Sequence, residues 1–340
     1  MKNKSFGLDI GSSSMKAVWL GTQEGGFSLE AAISSPTPEK GMLSESPLDQ
    51  EEIARAIRTM LGEASISSKY VNIALPENQV YTRIIEMPVL SDKEIESAIY
   101  WEAEQYIPVP LSTITLDYKV LKRPQSPEEG AKINVLLVGA PTLLIDKYEK
   151  ILTLAGLTIA SIETEILSVI RSIVTGEDFL PSMIVSMGAM STSLAVVRSG
   201  LLSFTYSIPT GGNAITRAIS ADFGFSLQQA EEYKKIYGLS SENLEGKIGK
   251  AAQPILALII AEMRKAIAFY NEKYPTDPIR QVILSGGGAK LPGLTTFYTN
   301  AIGLETRIAS PWKILVAQEV PKDIVDNASL YNVAVGLAIR

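Results

Sequence analysis

A carboxylate and an ammonium stand on either side of a glycine–serine turn near the amino terminus, and these residue types are suited to holding a charged ligand. The candidate residues lie in two apolar, β-prone runs and the turn between them: Asp9, Gly11, Ser12, Ser13, Ser14 and Lys16. Backbone N–H groups and hydroxyls in such a turn can bind an anion, and Asp9 can hold a cation directly or through water. The pattern predicts a hairpin that binds a magnesium-bound phosphate, and its simplest alternative is an ordinary turn between two strands.

The same arrangement occurs a second time in the chain. The segment from Ile184 to Val197 again predicts a strand, a turn of Gly, Ser and Thr, and a second strand. When the two hairpins are aligned, Gly11 falls on Gly188 and Asp9 falls on Ser186. A supersecondary unit that is present twice indicates a duplicated architecture, in which two hairpins grip a phosphate chain from both sides. The candidate binding residues of the second turn are Gly188, Ala189, Ser191 and Thr192.

A third glycine-rich turn follows a strand predicted at Ile279 to Ser285. Glycine lets a backbone approach a flat base or a ribose closely. Upstream, Gly211 and Gly212 begin a mostly helical region, in which Glu231 and Lys234 lie three residues apart and therefore on one helical face. An exposed ion pair is the alternative interpretation of that acid–base pair. The candidate residues of the third turn are Gly286, Gly287, Gly288 and Lys290.

The composition excludes several classes of chemistry. The 340 residues include no cysteine and no histidine, which excludes disulfides, thiolate or imidazole metal sites, and catalysis by either side chain. The net charge of −6 argues against a nucleic-acid partner, and the longest apolar run, Ile255 to Ala261, is too short to span a bilayer. The amino terminus has no signal-peptide core. We therefore expect a cytoplasmic protein without direct membrane insertion.

Apolar periodicity predicts an α/β protein with a compact module at residues 80–158. This module is predicted to contain a strand at Tyr81 to Pro88, a helix that begins with the capping box of Ser91 and Glu94 and ends at Tyr106, two further strands and a closing helix. Later helices are predicted to begin near Asn213, Ser226 and Pro254.

The duplicated hairpins and the strand–glycine turn–helix unit together resemble the actin-like ATPase superfamily, which has two phosphate motifs, two connecting helices and an adenosine motif. Residues 286–294 are similar to the adenosine motif, and residues 230–234 resemble the helix whose Glu and Lys contact ribose and adenine. The resemblance implies an α/β, actin-like fold of two ribonuclease H-like lobes, with ATP or ADP and Mg²⁺ as ligands. Asp9 would then hold the magnesium through water, and Gly211 and Gly212 would belong to the nucleotide site.

Within that superfamily, three segments resemble the PilM family of type IV pilus assembly proteins, which are relatives of the cell-division protein FtsA. The resemblance implies a groove next to a small inserted subdomain, 1C, that receives the N-terminal cytoplasmic peptide of PilN. It also implies contacts with other pilus inner-membrane and motor components, and a location peripheral to the inner membrane through a partner. The three segments are Met87 to Ile95, Tyr100 to Pro108 and Leu154 to Leu157. The implied subdomains are 1A at 1–79 and 329–340, 1C at 80–158, 2A at 159–207 and 279–328, and 2B at 208–278.

Three aromatic residues of the inserted module have two interpretations. Tyr100, Trp101 and Tyr106 could line the peptide groove or lie in the core. Large aromatic side chains are mostly buried in proteins, so placement in the core is the favoured prediction.

Ser186 departs from the family pattern, which has an Asp at that position of the second phosphate motif. Serine cannot supply the charge that helps to hold magnesium and the attacking water, so we expect nucleotide binding with weak or absent hydrolysis. Glu165, in the first connecting helix, is a candidate for orienting a water, but a carboxylate that complements the helix dipole is the favoured interpretation.

Two alternative functions remain open. One is an FtsA-like membrane-tethered or filament-forming division protein, which would need a basic amphipathic helix after the last core helix. The final residues, Gly336 to Arg340, are not followed by one, which counts against direct tethering. The other is an ATP-hydrolysing enzyme of the actin-like or sugar-kinase type, which would need a carboxylate base near the γ-phosphate.

Overall fold

The computed structural model describes residues 4–124, 130–174, 176, 178–240, 246–316 and 319–340. Its strands are β1 (Ser5–Ile10), β2 (Ser14–Gln23), β3 (Gly26–Pro36), β4 (Tyr70–Leu75), β5 (Tyr81–Pro88), β6 (Ile114–Lys122), β7 (Lys132–Pro141), β8 (Thr158–Thr164), β9 (Ser182–Met187), β10 (Thr192–Arg198), β11 (Leu201–Ile208), β12 (Gln281–Ser285) and β13 (Glu305–Ile308). Its helices are α1 (Pro47–Glu63), α2 (Asp92–Tyr106), α3 (Thr142–Leu154), α4 (Glu165–Ile173), α5 (Gly212–Phe223), α6 (Leu227–Tyr237), α7 (Lys247–Lys273), α8 (Leu294–Ile302), α9 (Lys322–Asp326) and α10 (Asn332–Ala338). Across these described residues, none of the helices combines the length and apolarity that a bilayer crossing requires.

Two five-stranded sheets repeat one topology. The first has the order β3-β2-β1-β4-β8 and the second has the order β11-β10-β9-β12-β13. In each sheet three strands form an antiparallel meander, and two further strands run parallel to the first strand of that meander. The register repeats as well, because Asp9 pairs with Lys16 in one sheet and Ser186 pairs with Ser193 in the other. The predicted duplication is therefore confirmed, and it extends to β8 and β13, which the apolar pattern did not predict.

Helices cover both faces of each sheet. α1 and α3 cover the outer face of the first sheet, and α5, α7 and α8 cover the outer face of the second. α10 packs on the inner face of the first sheet, α4 packs on the inner face of the second, and these two helices contact each other. Glycines permit this close packing, because a Cβ on Gly7 would lie 2.1 Å from the Ala334 oxygen and one on Gly336 would lie 1.9 Å from the Ser168 oxygen. We call the first sheet with α1 and α3 the first lobe, and the second sheet with α5 to α8 the second lobe.

A small antiparallel sheet of order β5-β7-β6 follows β4 of the first lobe. On the face of this small sheet that lies opposite to α2, Leu136 joins the apolar core that α4 forms with the second sheet. The predicted strand and capping box are confirmed, since β5 spans Tyr81–Pro88, Ser91 and Glu94 exchange the capping hydrogen bonds, and α2 ends at Tyr106. One face of the small sheet packs against α2 through Ile85, Met87, Ile95, Ile99, Ala103, Val135 and Leu137.

The prediction that a helix begins near Pro254 is wrong. α7 begins at Lys247 and carries Pro254 inside it. A proline inside a helix costs about 3 kcal/mol, because it lacks an N–H and its ring crowds the preceding turn. Apolar residues on both sides of Pro254, from Ile248 to Ile259, are buried in the core of the second lobe. Their burial outweighs the cost of the proline and extends the helix through it.

The favoured placement of the three aromatic residues in the core is also wrong. Trp101 is 69% exposed, Tyr100 is 47% exposed and Tyr106 is 42% exposed. The buried face of α2 consists of Ile95 and its neighbours at intervals of four residues, so Trp101 lies on the opposite side of the helix. The rings of Tyr100 and Trp101 meet edge to face, with centroids 6.3 Å apart. α2 therefore presents an aromatic group to solvent.

Candidate functional site

The first hairpin holds its acid–base pair in a buried position. Asp9 and Lys16 lie opposite each other in β1 and β2 and are 6% and 7% exposed. Lys16 Nζ lies 3.2 Å from Asp9 Oδ2 and also donates to the Ser14 carbonyl at 3.1 Å. The Thr37 hydroxyl fixes the turn by donating to the Gly11 carbonyl at 2.6 Å. The exposed residues at the tip of the turn are Ser12 and Ser13.

Three carboxylates lie at the carboxyl ends of neighbouring parallel strands in the first sheet. Asp9 lies at the end of β1, Glu77 follows β4, and Glu165 follows β8, and these strands are adjacent and parallel. Ligands of open α/β sheets bind at this edge. Glu77 was not among the predicted site residues, although an available signal was its position directly after a buried strand, which is the position that Glu165 has after β8.

The electrostatics of this edge favour the protonated forms of Glu77 and Glu165. Burial, with the negative charges of Asp9 and Glu77, raises the pKa of Glu165 from 4.5 to about 8, although Lys16 acts in the opposite direction. Burial also raises the pKa of Glu77 and that of the Tyr148 hydroxyl. Glu165 is the first residue of α4, but a carboxylate that only complemented the helix dipole would have a lowered pKa. The surroundings of Glu165 therefore outweigh the dipole.

The second hairpin is attached to the start of α5. The Gly212 N–H donates to the Gly188 carbonyl at 2.9 Å, and the Thr192 hydroxyl donates to the Thr210 carbonyl at 2.7 Å. A Cβ on Gly211 would lie 2.6 Å from the Gly188 oxygen, so only glycine fits this contact. The structure thereby brings together the predicted residues Gly188, Ala189, Ser191, Thr192, Gly211 and Gly212.

The predicted glycine turn lies beside that hairpin. Gly286 has a φ of 81°, and a Cβ on it would lie 2.5 Å from the carbonyl oxygen of Met187, the last residue of β9. A Cβ on Gly288 would lie 2.3 Å from Met187 Cγ. Gly287 is exposed, and the exposed Lys290 contacts the side-chain oxygen of Asn327. The absence of side chains at two glycines is therefore what lets this turn reach the end of β9.

The acid–base pair of α6 belongs to a polar network and is not a simple exposed ion pair. Lys234 Nζ lies 2.6 Å from Glu231 Oε2, and it donates to the Thr216 hydroxyl at 2.8 Å and to the Gly212 carbonyl at 3.1 Å. The Thr216 hydroxyl lies 2.6 Å from Glu231 Oε2. The Lys234 side chain is 12% exposed, and burial lowers its pKa despite the nearby carboxylate. The network connects α6 to α5 and, through Gly212, to the second hairpin.

The residues present fit a phosphate-bearing ligand. Glycines are frequent in the second hairpin and in the turn after β12, so the surface of the site there consists largely of backbone groups. Within the described part of the chain, no three acidic side chains converge closely enough to enclose a metal ion. A magnesium ion at Asp9 would accordingly keep several of its waters, as this ion commonly does. Ser186 is half-buried on β9 and offers a neutral hydroxyl at the position that corresponds to Asp9.

Comparison with known proteins identifies the family. A family model described as type IV pilus assembly protein PilM matches residues 7–340. The chain belongs to the PilM family. A solved PilM-PilN type IV pilus biogenesis complex contains a chain that is similar to this one at 28% identity and a TM-score of 0.88, and the match covers 99% of this chain and 98% of that chain.

Proteins outside the PilM family are similar to this chain in sequence or in fold. The cell-division protein FtsA of Streptococcus pneumoniae serotype 2 is 25% identical over 90% of this chain and 75% of its own length. EutJ of Carboxydothermus hydrogenoformans is similar in structure at 14% identity and a TM-score of 0.58, covering 98% of this chain and 88% of EutJ. MreB5 of Spiroplasma citri, solved with ADP, is similar in structure at 15% identity and a TM-score of 0.53, and the match covers 98% of this chain and 95% of MreB5. The predicted fold class and family are thus confirmed.

Proposed function

We propose that this protein is an ATP-binding cytoplasmic scaffold of the type IV pilus inner-membrane assembly complex, peripheral to the membrane through its binding of the N-terminal cytoplasmic peptide of PilN. The observation that carries the proposal is the likeness, over 99% of this chain, to a chain of a solved PilM-PilN complex, together with the match to the PilM family model. The proposed subdomain 1C, residues 80–158, would contain the small sheet, α2 and also α3, although α3 packs on the first sheet. The proposed subdomains 1A, 2A and 2B would make up the rest of the two lobes.

The proposed nucleotide site combines the two hairpins, the glycine turn after β12 and the network of α6. Lys16 and the backbone N–H groups of the two turns would bind phosphate oxygens, and Asp9 would hold a hydrated magnesium ion. Glu231 and Lys234 would contact the nucleoside. Because Ser186 supplies no second carboxylate, the nucleotide would be a structural ligand that is hydrolysed slowly or not at all.

The proposed peptide groove lies next to α2, where the aromatic group is exposed. Trp101 and Tyr100 offer a large apolar area at a low cost in side-chain entropy, which is typical of the residues that dominate binding at interfaces. Glu96 and Glu104 are exposed on the same helix, so a peptide that pairs an apolar anchor with a basic residue would be complementary to this surface.

Titration calorimetry with a synthetic N-terminal PilN peptide from the same organism tests the peptide site. We expect Trp101→Ala to weaken binding about 30-fold, which corresponds to a typical hot-spot loss of about 2 kcal/mol. Phe269→Ala is the matched control, because Phe269 is 60% exposed on α7, outside the small sheet. Equal affinities of the Trp101 variant and the unmodified protein would contradict this placement, and failure of the unmodified protein to bind would refute the scaffold function.

A second measurement tests the nucleotide site. Mg-ATP titrated into nucleotide-free protein should bind, and Asp9→Asn should weaken binding in the presence of Mg²⁺ more than in its absence. A rapid steady-state ATPase or phosphotransfer rate that is lost in Asp9→Ala would favour the enzyme alternative. Co-sedimentation with liposomes in the absence of PilN would favour the FtsA-like alternative, in which the protein itself lies on the membrane.

A further inference from the structure

Three buried polar atoms without a hydrogen-bond partner meet at one place in the fold. Among the described residues, eight buried side-chain nitrogen or oxygen atoms lack a partner, and they include Glu77 Oε2, Thr82 Oγ1 and Thr164 Oγ1. Glu77 is 6% exposed, and the hydroxyls of Thr82, Thr164 and Thr205 are the polar side chains that face its carboxyl group. Unsatisfied buried polar groups are rare in proteins, so a cluster of them requires a physical explanation.

The residues of this cluster come from all three sheets. Glu77 begins the 3₁₀ turn that follows β4 in the first lobe, and Thr82 lies on β5 of the small sheet. Thr164 directly precedes α4, and Thr205 lies on β11 of the second lobe, which packs against both β5 and the turn that contains Glu77. One carboxyl group therefore lies where the first lobe, the small sheet and the second lobe meet. We call Glu77, Thr82, Thr164 and Thr205 the polar joint.

The polar joint is connected to Glu165 through the backbone. The Ile166 N–H in the first turn of α4 faces the Glu77 carboxyl group, and the Glu77 N–H faces the Glu165 carboxyl group. This reciprocal arrangement fixes the start of α4 against the turn after β4. The direction of the Glu165 side chain therefore depends on where Glu77 is held.

The charged groups around Glu77 lie on its first-lobe side. Glu165 on α4 and, beyond it, Asp9 on β1, Lys16 on β2 and Tyr148 on α3 form one interacting set. The residues that face Glu77 from β5 and β11, Thr82 and Thr205, are neutral. The Thr82 hydroxyl has no partner among the described residues, so a small approach of β5 would supply the donor that Glu77 Oε2 lacks. The Thr205 hydroxyl donates to the Leu194 carbonyl at 3.0 Å and would have to exchange that bond for one to Glu77. The energy of the joint therefore depends on the positions of β5 and β11 relative to Glu77.

Other contacts attach the small sheet to the second lobe. Lys273 at the end of α7 lies 2.9 Å from Glu86 on β5, and Leu136 on β7 packs with Leu202 on β11 in one core. A movement of the second lobe relative to the first is therefore transmitted to the sheet that carries α2.

We propose that Glu77 is a positioning residue that couples the nucleotide site to the peptide surface of α2, because the polar joint ties the first-lobe carboxylates to the small sheet and the second lobe. This inference rests on the proposed function, since it concerns both proposed ligands. Glu77 contacts neither ligand itself and acts through Glu165 on one side and through Thr82 and Thr205 on the other.

The test is the ratio of PilN-peptide affinities measured by calorimetry with and without saturating Mg-ATP. In the unmodified protein we expect nucleotide to change the peptide Kd at least fivefold. In Glu77→Ala the ratio should fall to about 1, whereas Glu77→Gln, which keeps the size and one acceptor oxygen, should retain most of it. Glu52→Ala is the matched control, because Glu52 is an exposed acid on α1. If Glu77 had a purely structural role, Glu77→Ala would weaken the binding of both ligands and leave the ratio of peptide affinities unchanged.

A second pair of variants keeps the test valid if the Glu77 variants fold poorly. Thr205→Val leaves Glu77 in place and removes the hydroxyl on the second-lobe side together with its bond to the Leu194 carbonyl, so the ratio should again approach 1. Thr205→Ser keeps the hydroxyl and should preserve the ratio. A ratio that is unchanged in Glu77→Ala and Thr205→Val would overturn the role of Glu77. A ratio of 1 in the unmodified protein, with both ligands bound, would overturn the coupling and leave the proposed function standing. Failure of the unmodified protein to bind either ligand would instead refute the function.

Discussion

Replacement of Lys16 by methionine isolates the charge that the first hairpin buries. Methionine keeps the length and the apolar stem of the side chain but removes the ammonium. Lys16 Nζ lies 3.2 Å from Asp9 Oδ2, and both side chains are 9% exposed. At that distance and an effective dielectric constant of about 20, the attraction between the two charges is about 5 kcal/mol. Part of it only offsets the cost of removing the charges from water, so the net effect must be smaller.

We expect Lys16→Met to lower the free energy of unfolding by about 3 kcal/mol, because it leaves the Asp9 carboxylate buried without its cation. The double variant Asp9→Asn/Lys16→Met removes both charges and should recover at least about half of that loss. Urea denaturation at pH 7, followed by circular dichroism, measures all three free energies. Lys132→Met is the matched control, because Lys132 Nζ lies 3.3 Å from Glu86 Oε2 and the Lys132 side chain is 61% exposed. We expect this variant to lower the free energy of unfolding by less than about 1 kcal/mol.

Two results would refute this reasoning. A loss in Lys16→Met that is no larger than that of Lys132→Met would mean that burial does not strengthen the Asp9 pair. A double variant as unstable as Lys16→Met would mean that the lysine acts through its packing and its bond to the Ser14 carbonyl, and not through the charge of Asp9.

Three further predictions concern other parts of the fold. Gly286→Ala should abolish Mg-ATP binding measured by calorimetry, since its Cβ would lie 2.5 Å from the Met187 oxygen at a φ of 81°; Gly156→Ala, at a φ of 79° with open space around it, should leave binding unchanged. The free energy of unfolding should fall as the pH rises from 5 to 8, by up to about 1.4 kcal/mol per pH unit. The reason is that the raised pKa of Glu165 makes the folded chain hold a proton that the unfolded chain releases. Glu165→Gln should flatten this pH dependence, and a free energy of unfolding that rises with pH would contradict the raised pKa of Glu165. Pro254→Ala should raise the free energy of unfolding by about 1–3 kcal/mol, because Pro254 lies inside α7 and is exposed; a loss of stability would contradict this reasoning.

Local signals were sufficient to predict most of the elements. The hairpin from β1 to β2 was predictable because two apolar runs flank a glycine–serine turn, and its register follows from the length of that turn. The capping box of Ser91 and Glu94 fixed the start of α2, and the Pro-rich segment after Tyr106 fixed its end. Such signals lie within a few residues of the structure that they determine, so the sequence carries them directly.

The elements and sites that sequence reasoning missed depend on distant parts of the chain. β8 is buried mainly at its last two residues, and β13 has only four residues, so neither shows a clear alternation of apolar and polar positions. Trp101 was expected in the core on the basis of its residue type, but its exposure is decided by which face of α2 the small sheet covers. The position of Glu77 directly after a buried strand predicts that it lies at the edge of the sheet. Its burial could not be predicted, because it depends on three sheets that meet around it.

The two copies of the hairpin unit would contribute unequally to the proposed nucleotide site. One register position holds the Asp9–Lys16 ion pair in the first sheet and the hydroxyls of Ser186 and Ser193 in the second. The hairpin carboxylate therefore lies in the first lobe, whereas the second hairpin contributes backbone groups and neutral side chains. Slow hydrolysis follows if in-line attack needs a carboxylate on both sides of the phosphates, and Ser186→Asp is the substitution that would restore the missing one. Because burial and the charge of Asp9 raise the pKa of Glu165 to about 8, we expect that substitution to raise the hydrolysis rate most above pH 8, where Glu165 becomes able to accept a proton from water.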